Sequence, residues 1–158
     1  FPYPGGIHVD KASKLGDDKR YKLPIPKTEN PYDFSFSGLK TAVINLVHNA
    51  EQKGEEINVN DLAASFQHTV CGILTSKFIK AALDNGYKTI ALAGGVAANS
   101  GLRNALTEQA KLHGMKLYIP PVSICGDNAA MIGSQAYYEY LAGNIADSSL
   151  NAVASLKL

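Results

Sequence analysis

The hydrophobic period of this chain changes near residue 87, and that change restricts the fold more than any other feature. Upstream, Leu62, Phe66, Val70, Ile73 and Leu74 form one stripe at helical spacing, continued by Phe78, Ala81 and Ala82. The pattern predicts a helix from about Asp61 to Asp84, capped by Asn58 or Asn60 and stopped by Asn85-Gly86. Downstream, Lys88 to Ala93 (KTIALA) is a short apolar run of strand length, broken by Gly94-Gly95. Asn99 to Leu112 returns to helical spacing and closes at Gly114. Lys116 to Ile119 (KLYI) reads as a second strand, stopped by Pro120-Pro121. Strand, helix and strand within about 32 residues fit a βαβ unit, with two parallel strands joined by a right-handed crossover. A last helix is expected from about Asn128 to Leu141, ended by Gly143.

The remainder of the chain is organised around that unit. Residues 1–36 are expected to be irregular, because Pro2, Pro4, Pro24, Pro26 and Pro31 discourage helix and central strand alike. Only Ile7 to Leu15 is suited to a short helix. Leu39, Ala42, Val43, Leu46 and Val47 predict a helix from Ser37 to Ala50, with Ser37 as N-cap and Gly54 beyond its end. The chain thus divides into an irregular lead-in (1–36), a helical part (37–86), a βαβα part (87–143) and a tail (144–158), within one fragment.

Composition narrows the function classes. With 46% hydrophobic and 18% charged residues the chain can bury a core. No apolar run is long enough to span a membrane. The opening Phe1-Pro2-Tyr3-Pro4-Gly5-Gly6 is turn chemistry rather than a signal peptide, and without a leading Met it is expected to mark a cut in a longer chain. A net charge of +1 selects no partner. Cys71 and Cys125 are too few for a disulfide scaffold, so free thiols in a reducing cytoplasm are the default.

Four segments carry residue types suited to a site. Gly94-Gly95-Val96-Ala97-Ala98-Asn99-Ser100 lies between a strand's carboxyl end and a helix's amino end. There, glycine allows close backbone approach and free N–H groups favour nucleotide phosphate or ribose; equally, the glycines form a turn and Asn99 an N-cap. Cys125-Gly126-Asp127-Asn128 precedes the last helix, where Asp127 is either a cap or one carboxylate ligand of a divalent metal. At the amino end, Tyr3-Pro4-Gly5-Gly6-Ile7-His8-Val9-Asp10 sets a glycine pair ahead of Asp10, suited to ribose hydroxyls or to solvent. Asp33-Phe34-Ser35-Phe36-Ser37-Gly38-Leu39-Lys40-Thr41 leads alternating aromatics into a helix, with Lys40 solvated or within reach of a phosphate. His8, His48, His68 and His113 have no metal-ligand spacing. The basic residues from Lys11 to Lys27 suit either RNA phosphates or solvent.

Taken together, these blocks resemble, in order, the tRNA threonylcarbamoyladenosine transferase family (TsaD or YgjD, formerly O-sialoglycoprotein endopeptidase). They run from Tyr3-Pro4-Gly5-Gly6 through Asp33–Thr41, Ala63-Ala64-Ser65-Phe66-Gln67 and Gly94–Asn99 with Leu102-Arg103 to Cys125-Gly126-Asp127-Asn128-Ala129-Ala130-Met131-Ile132. The resemblance spans nearly the whole chain and matches the family's carboxy-terminal half. It implies an α/β fold of the actin/Hsp70/sugar-kinase type, built from two ribonuclease-H-like lobes, of which this chain is part of the second. It implies transfer of the threonylcarbamoyl group from threonylcarbamoyl-AMP to N6 of the adenosine beside the tRNA anticodon, with helper protein subunits. By motif, Gly6, Asp10 and Asn99 correspond to contacts with the adenylate substrate. Asp127 corresponds to a carboxylate ligand of one divalent metal, Fe2+ or Zn2+.

The family's other metal ligands, two histidines four residues apart, and its first glycine-rich substrate loop belong to the upstream lobe, which this chain does not contain. The isolated chain is therefore expected to be inactive. Its sheet is expected to be short, with one abnormally apolar face through which copies can associate. Two other classes fit the same residues: a kinase or ATPase lobe of the same superfamily, and a non-catalytic module that binds a partner.

Overall fold

The computed structural model describes residues 1–155. They separate into two compact units, Phe1–Cys125 and a second beginning at Gly126. The division falls inside the stretch that the sequence groups as βαβα.

The first unit opens with α1 (Gly5–Ser13), which starts directly after Pro4. The Gly-Gly pair expected as a turn is thus the first turn of a helix, as the fixed φ of a preceding proline allows. Residues 14 to 36 carry no regular element and lie along the next helices. Side chains fasten them: Ser65 Oγ accepts from Tyr21 N at 3.1 Å, and Asp61 Oδ1 accepts from Asp17 N at 2.8 Å. Lys77 Nζ donates to Thr28 Oγ1 at 2.6 Å and to the Asp33 carbonyl. Gly16 is required here, because a Cβ would overlap the Asn60 carbonyl.

α2 (Ser37–Lys53) runs three residues past the expected end, to Gly54 in the left-handed region at φ 68°. Ser37 is its first helical residue and Phe36 the flanking one. α3 (Val59–Asp84) is capped by Asn58, whose side chain accepts from Asn60 N and Asp61 N. The strands are β1 (Thr89–Ala91) and β2 (Lys116–Tyr118), joined through a 3₁₀ turn at Gly95–Ala98 and α4 (Ser100–Leu112). They pair in parallel with Thr89 opposite Lys116, Ile90 opposite Leu117 and Ala91 opposite Tyr118. The βαβ unit expected from the change of period is therefore present, its strands shorter than the apolar runs.

α3 packs between α1 and α4. Its stripe divides in an instructive way. Ala63, Ala64, Ser65, Cys71, Ile73, Ile79 and Ala82, most of them small, are buried. Phe66, Val70, Leu74 and Phe78 are only half-buried and line an apolar groove of about 790 Å³ with Phe34, Phe36, Val43, Ile44 and Leu92. α3 is apolar on most of its circumference, the pattern of a helix meant to be covered on more than one side. The remaining core joins α3, α4 and the strands through Ile90, Leu102, Leu106, Ala110 and Met115.

The second unit holds α5 (Ala129–Leu141), capped by Asn128, whose Oδ1 accepts from Met131 N at 2.9 Å. The expected tail follows; its residues 156–158 lie outside the described residues. No helix among the described residues is long and apolar enough to cross a membrane.

Candidate functional site

Three of the four sequence-nominated residues meet where α1, α3 and the start of α4 converge. Gly6 sits in the first turn of α1. Pro4 supplies no side-chain cap there, and a Cβ on Gly6 would meet nothing within 4 Å. Among the described residues, the glycine therefore has no packing reason. Asp10 is one helical turn further on, which places both on one face of α1.

Asp10 is half-buried and heavily engaged. Its Oδ1 accepts from Ser100 N at 3.1 Å, Ser100 Oγ at 2.8 Å and Gln67 Nε2 at 3.1 Å. Its Oδ2 lies 3.3 Å from Lys14 Nζ. Burial pushes the carboxyl up, but hydrogen bonds from Ser100, Lys14 and Gln67 together outweigh it, so Asp10 is held below the usual carboxylate range. Oδ1 is saturated, whereas Oδ2 retains acceptor capacity.

Asn99 is the N-cap of α4, its Oδ1 accepting from Leu102 N at 2.9 Å. Its Nδ2 donates to Gln67 Oε1 at 2.7 Å. The cap and a ligand role are compatible, because an amide nitrogen carries a second proton. The preceding Gly94 stands at φ 88°, a conformation that favours glycine and turns the chain out of β1 toward α4. Gly6, Val9, Gln67, Cys71, Val96 and Asn99 line a recess of about 240 Å³. Cys71 is inert by environment: burial first, then the Asp10 charge, raises its thiol to about 11.

Gln67 stood out in the sequence only as the end of the Ala63–Gln67 block and was given no role, because it sits inside a helix whose apolar stripe accounts for its neighbours. The signal available was a long amide beside Phe66 on a face otherwise made of small and apolar residues. Arg103 stood out in the sequence only as part of a block. Its guanidinium donates to the carbonyls of Ala97 and Pro120, both at 2.8 Å, and ties the two loops that follow the strands. Lys40 is exposed and borders the apolar groove.

Asp127 lies in the second unit, exposed, in the turn before α5. It is not the helix cap, since Asn128 takes that role. Its carboxylate is thus not committed to the helix. Cys125 is buried, its Sγ 3.4 Å from the Pro121 carbonyl, as expected of a structural thiol. Among the described residues no three His, Cys, Asp or Glu side chains group to hold a metal ion. A zinc site takes three or four protein ligands, so these residues do not fit a complete metal site by themselves.

A family model described as tRNA N6-adenosine threonylcarbamoyltransferase (TsaD) matches residues 1–134. The chain belongs to that family. Relatives carrying that name include one from Clostridium botulinum (strain Kyoto / Type A2), 49% identical over 157 residues. Others are from Clostridioides difficile (strain 630), 48% identical over 159 residues, and Listeria innocua serovar 6a, 48% identical over 158 residues. Each match covers 99% of this chain and 46% of the relative. The chain thus spans about half the length of the TsaD relatives it matches, as the resemblance to a carboxy-terminal half implies.

Proposed function

We propose that this chain supplies the adenylate-binding wall of an enzyme that transfers the threonylcarbamoyl group from threonylcarbamoyl-AMP to N6 of the adenosine beside the anticodon of certain tRNAs. The supporting observation is that Gly6, Gln67 and Asn99 line one recess and that Gln67 hydrogen-bonds Asp10 beside it, in a chain of the TsaD family. Asp10 Oδ2 accepts from ribose hydroxyls. Asn99 donates its second amide proton. The open space over Gly6 and the uncapped first turn of α1 admit the adenylate's polar groups to the backbone.

N6 of adenine is a poor nucleophile and a carbamoyl phosphate anhydride a good electrophile. In the step, N6 forms a bond to the carbamoyl carbon, the carbon–oxygen bond to phosphate breaks, AMP departs, and N6 gives up a proton. The site's work is positioning and stabilisation of charge on the departing phosphate. This chain's share is to fix the adenylate. Asp127 is one carboxylate for an iron or zinc ion whose other ligands lie outside residues 1–158, and no step above is routed through that ion. The fold is that of part of a ribonuclease-H-like lobe. tRNA and helper subunits are its proposed partners, and the cytoplasm its proposed compartment.

The test is a chimera in which this chain replaces the matched part of the Clostridium botulinum relative. Given threonylcarbamoyl-AMP, unmodified tRNA and that relative's helper subunits, the chimera forms threonylcarbamoyladenosine, measured by nucleoside mass spectrometry, and the 158-residue chain alone forms none. Transfer by the chain alone, or an inactive but folded chimera beside an active parent, contradicts the proposal.

A further inference from the structure

Asn99 lines the recess, Asp10 stands on a different element, and one side chain joins them. Gln67 Nε2 donates to Asp10 Oδ1 at 3.1 Å and to Ser13 Oγ at 2.8 Å, while Gln67 Oε1 accepts from Asn99 Nδ2 at 2.7 Å. The chemistry fixes the direction of every bond in this chain of amides. An ionised carboxylate only accepts, so the nitrogen end of Gln67 must face Asp10. Its oxygen end then faces Asn99, which must turn its nitrogen toward Gln67. That leaves Asn99 Oδ1 for the Leu102 N–H, as observed at 2.9 Å.

Glutamine is the residue this bridge requires. Glutamate in its charged form would set a second acceptor against Asp10, and leucine would offer neither donor nor acceptor. The facing helix is shaped around the amide. A Cβ on Gly101 would lie 2.9 Å from Gln67 Nε2 and 3.3 Å from Asn99 Oδ1. A glycine in the first turn of α4 thus leaves room for Gln67 where alanine would be the better helix former.

We infer that Gln67 is a positioning residue, holding the Asp10 carboxylate and the Asn99 amide in the orientations that present them to the adenylate. It acts through those two groups. The inference rests on the proposed function, and its variants are chosen to separate the two.

The experiment measures KM for threonylcarbamoyl-AMP and kcat in the active chimera. Asp10→Ala and Asn99→Ala report on the contacts, and Gln67→Leu, Gln67→Glu and Gly101→Ala on the bridge, with thermal melting to verify folding. The bridge variants are expected to raise KM about 10-fold or more, with a smaller change in kcat, since a displacement of about 1 Å at a positioned group suffices for losses of that order.

The Gln67→Glu variant gives a readout that packing alone would not move. A protonated carboxyl is both donor and acceptor, so its defect relative to the parent should shrink as pH falls toward about 5, nearer the ordinary glutamate range. The charged or titratable groups near position 67 are Asp10 and Lys14 from α1, Asp18 beyond it, and His68 and Cys71 on α3; α4 adds only Ser100, Gly101, Asn104 and Ala105 there, none of them titratable. The Asp10 charge favours the protonated form of the introduced carboxyl.

If Asp10→Ala and Asn99→Ala leave KM unchanged, the proposed function and this inference fall together. If those two raise KM while folded Gln67→Leu, Gln67→Glu and Gly101→Ala do not, the inference alone is overturned. A Gln67→Glu defect independent of pH also overturns it.

Discussion

Asp10 ties the proposed adenylate site to the stability of the fold. Burial raises its carboxyl, but hydrogen bonds from Ser100, Lys14 and Gln67 outweigh that effect and hold it below the ordinary value of 3.8. A depressed folded value contributes stability that is present above the unfolded value and lost as pH falls through the folded one. Denaturant titrations should therefore show stability declining below about pH 4. Asp10→Asn should cost about 1–3 kcal/mol at neutral pH, the scale of hydrogen bonds to a charged group, and should flatten the acid limb. A variant with an unchanged acid limb would show that Asp10 is not the titrating group. The neighbouring Asn99 shows why single residues were only partly legible. Its side-chain oxygen does what its position in the sequence suggested, capping α4, while its amide nitrogen answers to Gln67, 32 positions away.

Elements were more legible than their ends. The change of period near residue 87 located both strands and the helix between them, because local hydrophobic spacing follows directly from backbone geometry. Boundaries depended on which of several polar residues takes the cap. Asn58 rather than Asn60 caps α3, and Phe36 rather than Ser37 flanks α2. At α5, Asn128 takes the role considered for Asp127. Asn128→Ala should therefore cost about 1 kcal/mol in helix stability, measured by denaturant unfolding of the second unit's signals. Asp127→Ala should cost less, and should lower metal content in the chimera if its carboxylate is a ligand. Equal losses of stability from both substitutions would show that Asp127 shares the cap. The glycine pair at Gly5-Gly6 was misleading at this scale, since turn chemistry and a proline-started helix share the same residues.

Across the whole chain, the βαβ unit, α3 and the family blocks could be read from residues alone. The convergence of α1 with α3 and α4 could not, because it depends on contacts between residues far apart in sequence, such as Asp10 with Ser100. The apolar groove along Phe66, Val70, Leu74 and Phe78 has the same origin. Helical spacing marks those residues as a stripe but does not reveal which of its members, such as Ile73, are buried and which, such as Phe66 and Leu74, are left half-exposed. The measurement that bears most directly on the proposed role is a crystal structure of the chimera with a non-hydrolysable analogue of threonylcarbamoyl-AMP. Ribose hydroxyl oxygens should lie within hydrogen-bond distance, about 3 Å, of Asp10 Oδ2, with Asn99 Nδ2 donating to the same ligand. An adenylate bound away from both side chains would contradict it.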